Sequence, residues 1–88
     1  MDKVFSNAIV KYGIEKQSFV AVEELSELQK EICKAQRGKF NKDNMTEELA
    51  DVWVMCEQVK MMYGITDDQV MRKVHDKVAR LKMTLAEG

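Results

Sequence analysis

The sequence predicts an all-α fold, and its composition and periodicity carry that prediction. Proline is absent and glycine occurs only four times, so few positions interrupt a helix. The long periodic segments are filled by Glu, Lys, Leu, Met, Gln and Ala, which all favour helices, and strand-like Val/Ile alternation is missing. Breaks at Gly13, at 38–44 and at 64–66 predict one short and three longer helices within a single domain, residues 1–88.

The first helix is short and ends at Gly13, and the second runs from about Glu15 to Arg37. Gly38 follows directly and predicts a C-terminal stop. Apolar residues recur along the second helix in steps of four and three, as on one face of a helix. This stripe comprises Ala21, Leu25, Leu28, Ile32 and Ala35.

The third helix is predicted to start near Asn44, whose side chain can cap it. The side chain of Glu47, three residues later, can reach back to the Asn44 N–H. Its stripe comprises Met45, Leu49, Val52, Cys56, Val59 and Tyr63. The fourth helix is predicted to start at Thr66, with Gln69 completing a capping box. Its stripe comprises Val70, Val74, Val78, Leu81 and Leu85.

One segment predicts that copies of the chain associate. Residues 52–56 are five consecutive apolar residues, which cover the whole circumference of the third helix. A chain this small hides only about 60–65% of its unfolded surface, so the extra burial is expected from another subunit. We therefore expect a helical bundle formed by a homodimer or homotetramer, with Trp53 in the core or interface rather than stacked on a base.

The charge balance and the lengths of the apolar runs exclude nucleic acids and membranes as partners. With 14 basic and 15 acidic residues, the chain has no strongly basic field for a nucleic-acid backbone. No apolar run approaches the roughly 20 residues that span a bilayer, and the N-terminus does not resemble an export signal. We expect a cytoplasmic protein that binds neither nucleic acid nor membrane.

The cysteines and the histidine do not predict a transition-metal site. Cys33 and Cys56 lack a CxxC spacing and a nearby histidine, so both are predicted to be small buried apolar residues. His75 stands alone in a charged helix and is predicted to lie on the surface. A single imidazole cannot build a His-based site.

The acidic residues fall into a near-repeat. Residues 22–28, Val-Glu-Glu-Leu-Ser-Glu-Leu, match residues 46–52, Thr-Glu-Glu-Leu-Ala-Asp-Val, in pattern without gaps. Glu24 and Glu27 are three residues apart and project from one face of the second helix. Glu48 and Asp51 do the same on the third helix.

The position of these carboxylates beside the stripes predicts a cation site. Glu24, Glu27 and Glu31 each precede a stripe residue of the second helix by one position, and Glu48 and Asp51 do the same on the third helix. Antiparallel packing would bring such flanking carboxylates together at the edge of the seam, where they are partly buried yet reachable from solvent. Four like charges would raise one another's pKa values unless cations neutralise them. Oxygen ligands favour Mg²⁺, with Mn²⁺ as a substitute. The alternative is a solvated acidic face that makes only weak ion pairs.

With these motifs, the sequence resembles the MazG-like all-α nucleotide pyrophosphohydrolases, in particular the short single-domain members from phage and bacterial genomes. The family signature is EExxE followed by ExxD, and here residues 23–27 read Glu-Glu-Leu-Ser-Glu and residues 48–51 read Glu-Leu-Ala-Asp. The spacer falls within the family's range, and the resemblance extends over most of the chain. It includes residues 11–17 and the Asn-Met-Thr-Glu segment at 44–47.

The resemblance implies an activity: Mg²⁺-dependent hydrolysis of (deoxy)nucleoside triphosphates to the monophosphate and pyrophosphate. Clearance of non-canonical or excess nucleotides is a role that fits this activity. It implies that Glu24, Glu27, Glu48 and Asp51 hold the metal, and that Glu24 or Glu27 helps to take a proton from the attacking water. Glu23 lies about 100° around the helix from Glu24. It is therefore expected to support the metal ligands without binding the metal, or to lie on the surface. No residue is identified for base recognition.

The last helix offers cations for a triphosphate. Lys73, Lys77 and Arg80 are spaced by four and three on one face, and members of the family use basic residues of this helix on phosphates. Some members carry asparagine where Lys77 falls, so the match is incomplete there. The same trio is also typical of a solvated face.

Two other functions remain open at this stage. One is a related enzyme that cleaves another diphosphate linkage, such as that of phosphoribosyl-ATP. The other is a non-catalytic helical bundle that serves assembly or partner binding and has an acidic metal-binding face. A di-iron bundle is set aside because it expects Glu-x-x-His, whereas Arg72 stands three positions before His75.

Overall fold

A computed structural model describes all 88 residues as four helices without strands, which confirms the all-α class. The helices are α1 (Asp2–Tyr12), α2 (Ile14–Gln36), α3 (Lys42–Met62) and α4 (Asp67–Glu87), one short and three longer as predicted. α2 and α3 pack side by side, and α1 contacts both. None of the four helices combines the length and apolarity needed to cross a bilayer.

The ends of α2 and α3 lie where the glycines predict them. Gly38 and Gly64 adopt left-handed backbone conformations with φ of +79° and +66°, which residues with a Cβ rarely adopt. After Gly38, the Lys39 N–H donates to the Lys34 carbonyl at 2.9 Å, and an equivalent bond of the same length closes α3. Both helices therefore stop in a Schellman arrangement that satisfies their last carbonyls.

The start of α4 confirms the capping box predicted at Thr66. The Thr66 hydroxyl accepts a hydrogen bond from the Gln69 N–H at 3.1 Å, and the Gln69 side-chain oxygen accepts one from the Thr66 N–H at 2.8 Å. Two groups that a helix terminus leaves without partners are thus satisfied.

The predicted start of α3 is wrong by three residues. Asn41, not Asn44, is the N-cap, and its side-chain oxygen accepts a hydrogen bond from the Asn44 N–H at 3.0 Å. The earlier start brings Lys42 and Asp43 into the helix, which leaves only a short connection after α2. Both asparagines are good caps locally, so the sequence signal does not separate them.

The core is small and half polar. No residue is completely buried, and only six fall in the buried class: Phe5, Ala21, Met55, Gln17, Glu31 and Gln58. Gln17 lies near the start of α2 and Gln58 near the end of α3, and the Gln17 amide donates to the Gln58 side-chain oxygen at 2.8 Å. This buried bond joins opposite ends of the two helices, which therefore run antiparallel.

The face of α2 that meets α3 differs from the predicted stripe. Ala21, Leu28 and Ala35 are buried or half-buried as expected, but Leu25 and Ile32 are 52% and 48% exposed. Glu24 and Glu31, one position earlier in each case, turn further into the seam. The apolar arc of α2 is wider than one neighbouring helix can cover.

The same shift occurs on α3. Leu49 and Tyr63 are 54% and 57% exposed and Cys56 is exposed, whereas Met55 and Gln58 are buried. The predicted burial of Cys56, and of Cys33 on α2, is therefore wrong for the single chain. The remaining predicted residues of this stripe, Met45, Val52 and Val59, are half-buried.

The apolar run at 52–56 is covered on two sides within the chain. Met55 is buried, and the ring of Trp53 lies edge-on to Phe5 of α1, with 6.4 Å between ring centroids. Trp53 remains 49% exposed. Coverage by a second subunit stays a prediction.

α4 extends away from the other helices. Val70 in its first turns is half-buried, and every later residue is exposed, including His75 as predicted. The start of α4 is tied to α3 by Lys60, whose amino group lies 2.7 Å from Asp67 and 2.6 Å from Glu57. These two carboxylates raise the pKa of Lys60 to about 12. The predicted stripe of α4 is thus unpartnered in the single chain.

Replacing each of the two asparagines in turn by alanine tests the observed start of α3. We expect Asn41→Ala to lower the free energy of unfolding by about 1 kcal/mol, because it removes the cap. The matched variant Asn44→Ala should change it by less than about 0.5 kcal/mol, because that side chain caps nothing. Urea denaturation followed by circular dichroism measures both. A larger loss in Asn44→Ala would contradict the assigned start.

Candidate metal centre

Three of the four predicted metal-binding carboxylates meet between α2 and α3. Glu24 of α2 and Glu48 and Asp51 of α3 each offer an oxygen, and these oxygens lie within 4.8 Å of one another. Glu24 and Glu48 are half-buried, whereas Asp51 is exposed. The cluster therefore begins inside the seam and opens to solvent at Asp51, in keeping with carboxylates that are expected to be partly buried yet reachable from solvent.

Glu27, the fourth predicted ligand, lies at the rim. It is exposed, and its carboxylate is not among the three convergent groups. It is nevertheless close enough for its charge to raise the pKa values of Glu24 and Glu48. Glu27 thus faces the same site from the solvent side.

Glu48 is the most constrained member of the cluster. Its Oε2 atom is buried and has no hydrogen-bond partner. Burial raises the pKa of the Glu48 carboxyl, and the neighbouring carboxylates of Asp51, Glu27 and Glu31 raise it further. Buried carboxylate oxygens normally have a partner, and here a proton or a cation could supply one.

The pKa of the Glu24 carboxyl is also raised by its surroundings. Burial is the main factor that raises the pKa of the Glu24 carboxyl, followed by the charges of Asp51 and Glu48. The two helices thus hold carboxylates in positions that favour neutralisation. A hard divalent cation neutralises such a group while it stays ionised, and Mg²⁺ prefers an all-oxygen ligand set of this kind.

Glu31 extends the acidic site; the sequence places it on the same flank of the stripe as Glu24 and Glu27 but does not predict it as a metal ligand. It is buried, and the Lys34 amino group lies 3.3 Å from its Oε2 atom. Its charge contributes to the raised pKa of Glu48. The available signal is its position seven residues after Glu24, two turns along the same face of the helix.

The three basic residues proposed for phosphate binding do not meet the acidic cluster within one chain. Lys73, Lys77 and Arg80 are all exposed on α4, and none forms an ion pair. Lys73 and Lys77 line a shallow cavity with Val70 and other residues near the start of α4, but no carboxylate of the cluster borders it. Their charges are therefore free for an anion.

Comparisons of the chain with protein-family models, with curated proteins and with solved structures find no match. The likeness to the MazG-like pyrophosphohydrolases thus remains a resemblance, whose signature is the pair of acidic motifs at residues 23–27 and 48–51. The convergence of Glu24, Glu48 and Asp51 supports a cation site independently of that resemblance.

The raised pKa values predict how stability depends on pH without divalent cations. A carboxyl whose pKa is higher in the folded than in the unfolded state contributes stability at pH values below its unfolded pKa, here 4.5, and loses that contribution as the pH rises through its folded pKa. We expect Glu48→Gln to be more stable than the wild type near pH 7, and to gain much less near pH 4.

Urea denaturation in a chelator at both pH values measures this difference. Glu23→Gln is the matched control, since Glu23 is exposed and lies outside the convergent group. An equal gain in both variants at neutral pH would mean that general charge reduction, not the site, is responsible.

Proposed function

We propose that this chain is a magnesium-dependent nucleoside triphosphate pyrophosphohydrolase. It would hydrolyse (deoxy)nucleoside triphosphates between the α and β phosphates to the monophosphate and pyrophosphate. The observation that carries the proposal is the convergence of Glu24, Glu48 and Asp51, together with the buried Oε2 atom of Glu48 that has no hydrogen-bond partner. The reaction itself is taken from the resemblance of the two acidic motifs.

The donor set fits Mg²⁺, with Mn²⁺ as a substitute. Glu24, Glu48 and Asp51 would hold the cation, and Glu27 stands at the rim where it can join them. The chemistry supplied by bound Mg²⁺ is neutralisation of charge on phosphate oxygens and a lower pKa for a bound water. Carboxylates at this position also exclude a triphosphate until their own charge has been balanced.

Glu27 is the better placed of the two candidates for proton transfer. Glu24 turns into the seam, while Glu27 is exposed beside it and can reach a water that approaches from solvent. In the reaction, the water oxygen forms a bond to the α-phosphorus and its proton passes to the carboxylate. The bond from the α-phosphorus to the bridging oxygen breaks, and pyrophosphate leaves with the electron pair.

The phosphate-binding role of Lys73, Lys77 and Arg80 is part of this proposal. Their exposed, unpaired side chains suit an anion, but α4 extends away from α2 and α3. They would reach the cluster only if α4 changes position or comes from another copy. We propose that the working enzyme is a homodimer or homotetramer.

The enzymatic proposal is tested by measuring pyrophosphate release from a panel of canonical and modified nucleoside triphosphates with Mg²⁺. We expect turnover of at least one of them. Glu48→Gln and Glu27→Gln should each lower kcat/KM by about 100-fold or more, because even an outer partner of a metal ligand is worth about 10- to 100-fold. Glu23→Gln should stay within about threefold of the wild type.

Unchanged turnover in both site variants would refute the site assignment, and absence of turnover on every nucleotide would refute the reaction. Product analysis separates this activity from cleavage of another diphosphate linkage. Titration calorimetry with Mg²⁺ and Mn²⁺ tests the cation site separately, since a solvated acidic face gives no saturable binding.

A further inference from the structure

Two side-chain hydrogen bonds join the start of α2 to the end of α3. The Gln17 amide donates to the Gln58 side-chain oxygen at 2.8 Å, and both residues are buried. The hydroxyl oxygens of Ser18 and Tyr63 lie 2.7 Å apart in an exposed position. Only the glutamine bond lies inside the seam, where an amide that loses its partner is left without water to replace it.

The glutamine bond lies at the same distance from the carboxylates on both helices. Seven residues separate Gln17 from Glu24 on α2, and seven separate Asp51 from Gln58 on α3. Seven residues advance a helix by about 10.5 Å and rotate it through nearly two full turns, so each glutamine shares a face with its carboxylate. Because the helices run antiparallel, the register in which Gln17 meets Gln58 is also the register in which Glu24 meets Asp51.

The apolar contacts of the seam specify its register only weakly. Ala21 and Met55 are the only apolar residues of α2 and α3 in the buried class. Helices fix their relative position when large side chains of one fit between those of the other, and the methyl group of alanine contributes little to such a fit. A second, directional interaction is therefore needed to select one register.

A slip of one helix along the other would break the glutamine bond and separate the carboxylates together. After a slip of four residues, about 6 Å, Asp51 is no longer level with Glu24. The same slip brings Gln17 level with Val54 or Met62, and neither offers an amide. Both glutamine amides would then be buried without their partner, which opposes the slip.

We propose that Gln17 and Gln58 are positioning residues of the metal centre, because their buried bond selects the register of α2 and α3 in which the carboxylates converge. Neither glutamine touches the cation, since each lies about 10 Å along its helix from Glu24 or Asp51. A buried polar pair fixes the register of coiled coils in the same way, at a cost in stability. The inference rests on the cation site of the proposed function, and its test separates the two.

Replacing both glutamines by methionine tests this role. Methionine has the length of glutamine without its amide, and removing both partners leaves no amide unpaired, so the fold should be retained. We expect Gln17→Met/Gln58→Met to melt in a chelator at the wild-type temperature or above. It should nevertheless bind Mn²⁺ at least about tenfold more weakly in titration calorimetry. Wild-type affinity in this double variant overturns the proposal.

Tyr63→Phe is the matched control at the same end of the helix pair. It removes the exposed bond to Ser18 and leaves the glutamine bond in place. Its Mn²⁺ affinity should stay within about threefold of the wild type, because an exposed bond contributes little to the register. An equal loss of affinity in Tyr63→Phe and in the double variant also overturns the proposal.

The register itself can be measured through the native cysteines. Cys33 on α2 and Cys56 on α3 are both exposed, so spin labels on them report the position of one helix along the other. Pulsed electron paramagnetic resonance uses labelled protein diluted with unlabelled protein, in a chelator. The double variant should give a broader distribution than the wild type, or one displaced by about 5 Å, which is one helical turn. An unchanged distribution contradicts the proposal.

The spin labels also separate this inference from the proposed function. A wild type without saturable Mn²⁺ binding refutes the cation site and with it the positioning role, whereas the label distances still decide whether the glutamines select the register. A wild type that binds Mn²⁺, combined with a double variant that binds it equally well, refutes the positioning role alone.

If the double variant does not fold, Gln17→Glu decides the question. A carboxylate at this position can still accept a hydrogen bond from the Gln58 amide once that amide turns over. We expect Gln17→Glu to keep the wild-type label distance and to bind Mn²⁺ as tightly as the wild type or more tightly. A displaced distance, or a loss of affinity as large as that expected for the double variant, contradicts the inference.

Discussion

The packing of α2 against α3 forces like charges together, and the rest of the molecule is arranged around that constraint. Ala21 of α2 and Met55 of α3 are buried, and the Gln17–Gln58 hydrogen bond at one end of the pair helps to hold the helices in register. The same register places Glu24 and Glu48 between the helices. The burial of these two carboxylates and the repulsion between them oppose the packing of α2 against α3. A cation between the helices would therefore stabilise the fold and form the metal site at the same time.

Because the core is small, the repulsion between these carboxylates has a large effect on the stability of the fold. Only Phe5, Ala21 and Met55 form a buried apolar core, and no side chain is completely buried. Such a core leaves little free energy to offset repulsion in the seam. We propose that two contributions from outside the chain stabilise the fold, a divalent cation in the seam and association with another copy. Both would add to stability only in the assembled, metal-bound state.

Local signals made the helices predictable, while the choice of buried face was not predictable. The stops at Gly38 and Gly64 and the cap at Thr66 depend on neighbouring residues alone, and the structure confirms them. Asn41 and Asn44 are equivalent as local caps, so the start of α3 was predicted wrongly.

Leu25 and Glu24 lie side by side around the circumference of α2, and tertiary packing decides which of the two faces α3. The sequence therefore predicted the carboxylate pairs from their spacing, but not how deeply Glu24 and Glu48 lie in the seam. The spacing of Glu31 from Glu24 places it on the same face of α2, but that Glu31 comes close enough to raise the pKa of Glu48 depends on how the two helices pack. The reaction depends on the resemblance of the acidic motifs and not on geometry, since the geometry predicts only a cation.

Titration with Mg²⁺ tests whether the carboxylates of the seam hold a divalent cation that the fold needs. The quantity to measure is the melting temperature as a function of Mg²⁺ concentration, at an ionic strength kept constant with Na⁺. A cation bound in the seam predicts a rise that grows with Mg²⁺ in the wild type and is lost in Glu48→Gln. An equal response of both proteins to Mg²⁺, or an equal effect of Na⁺ on the wild type, would contradict it.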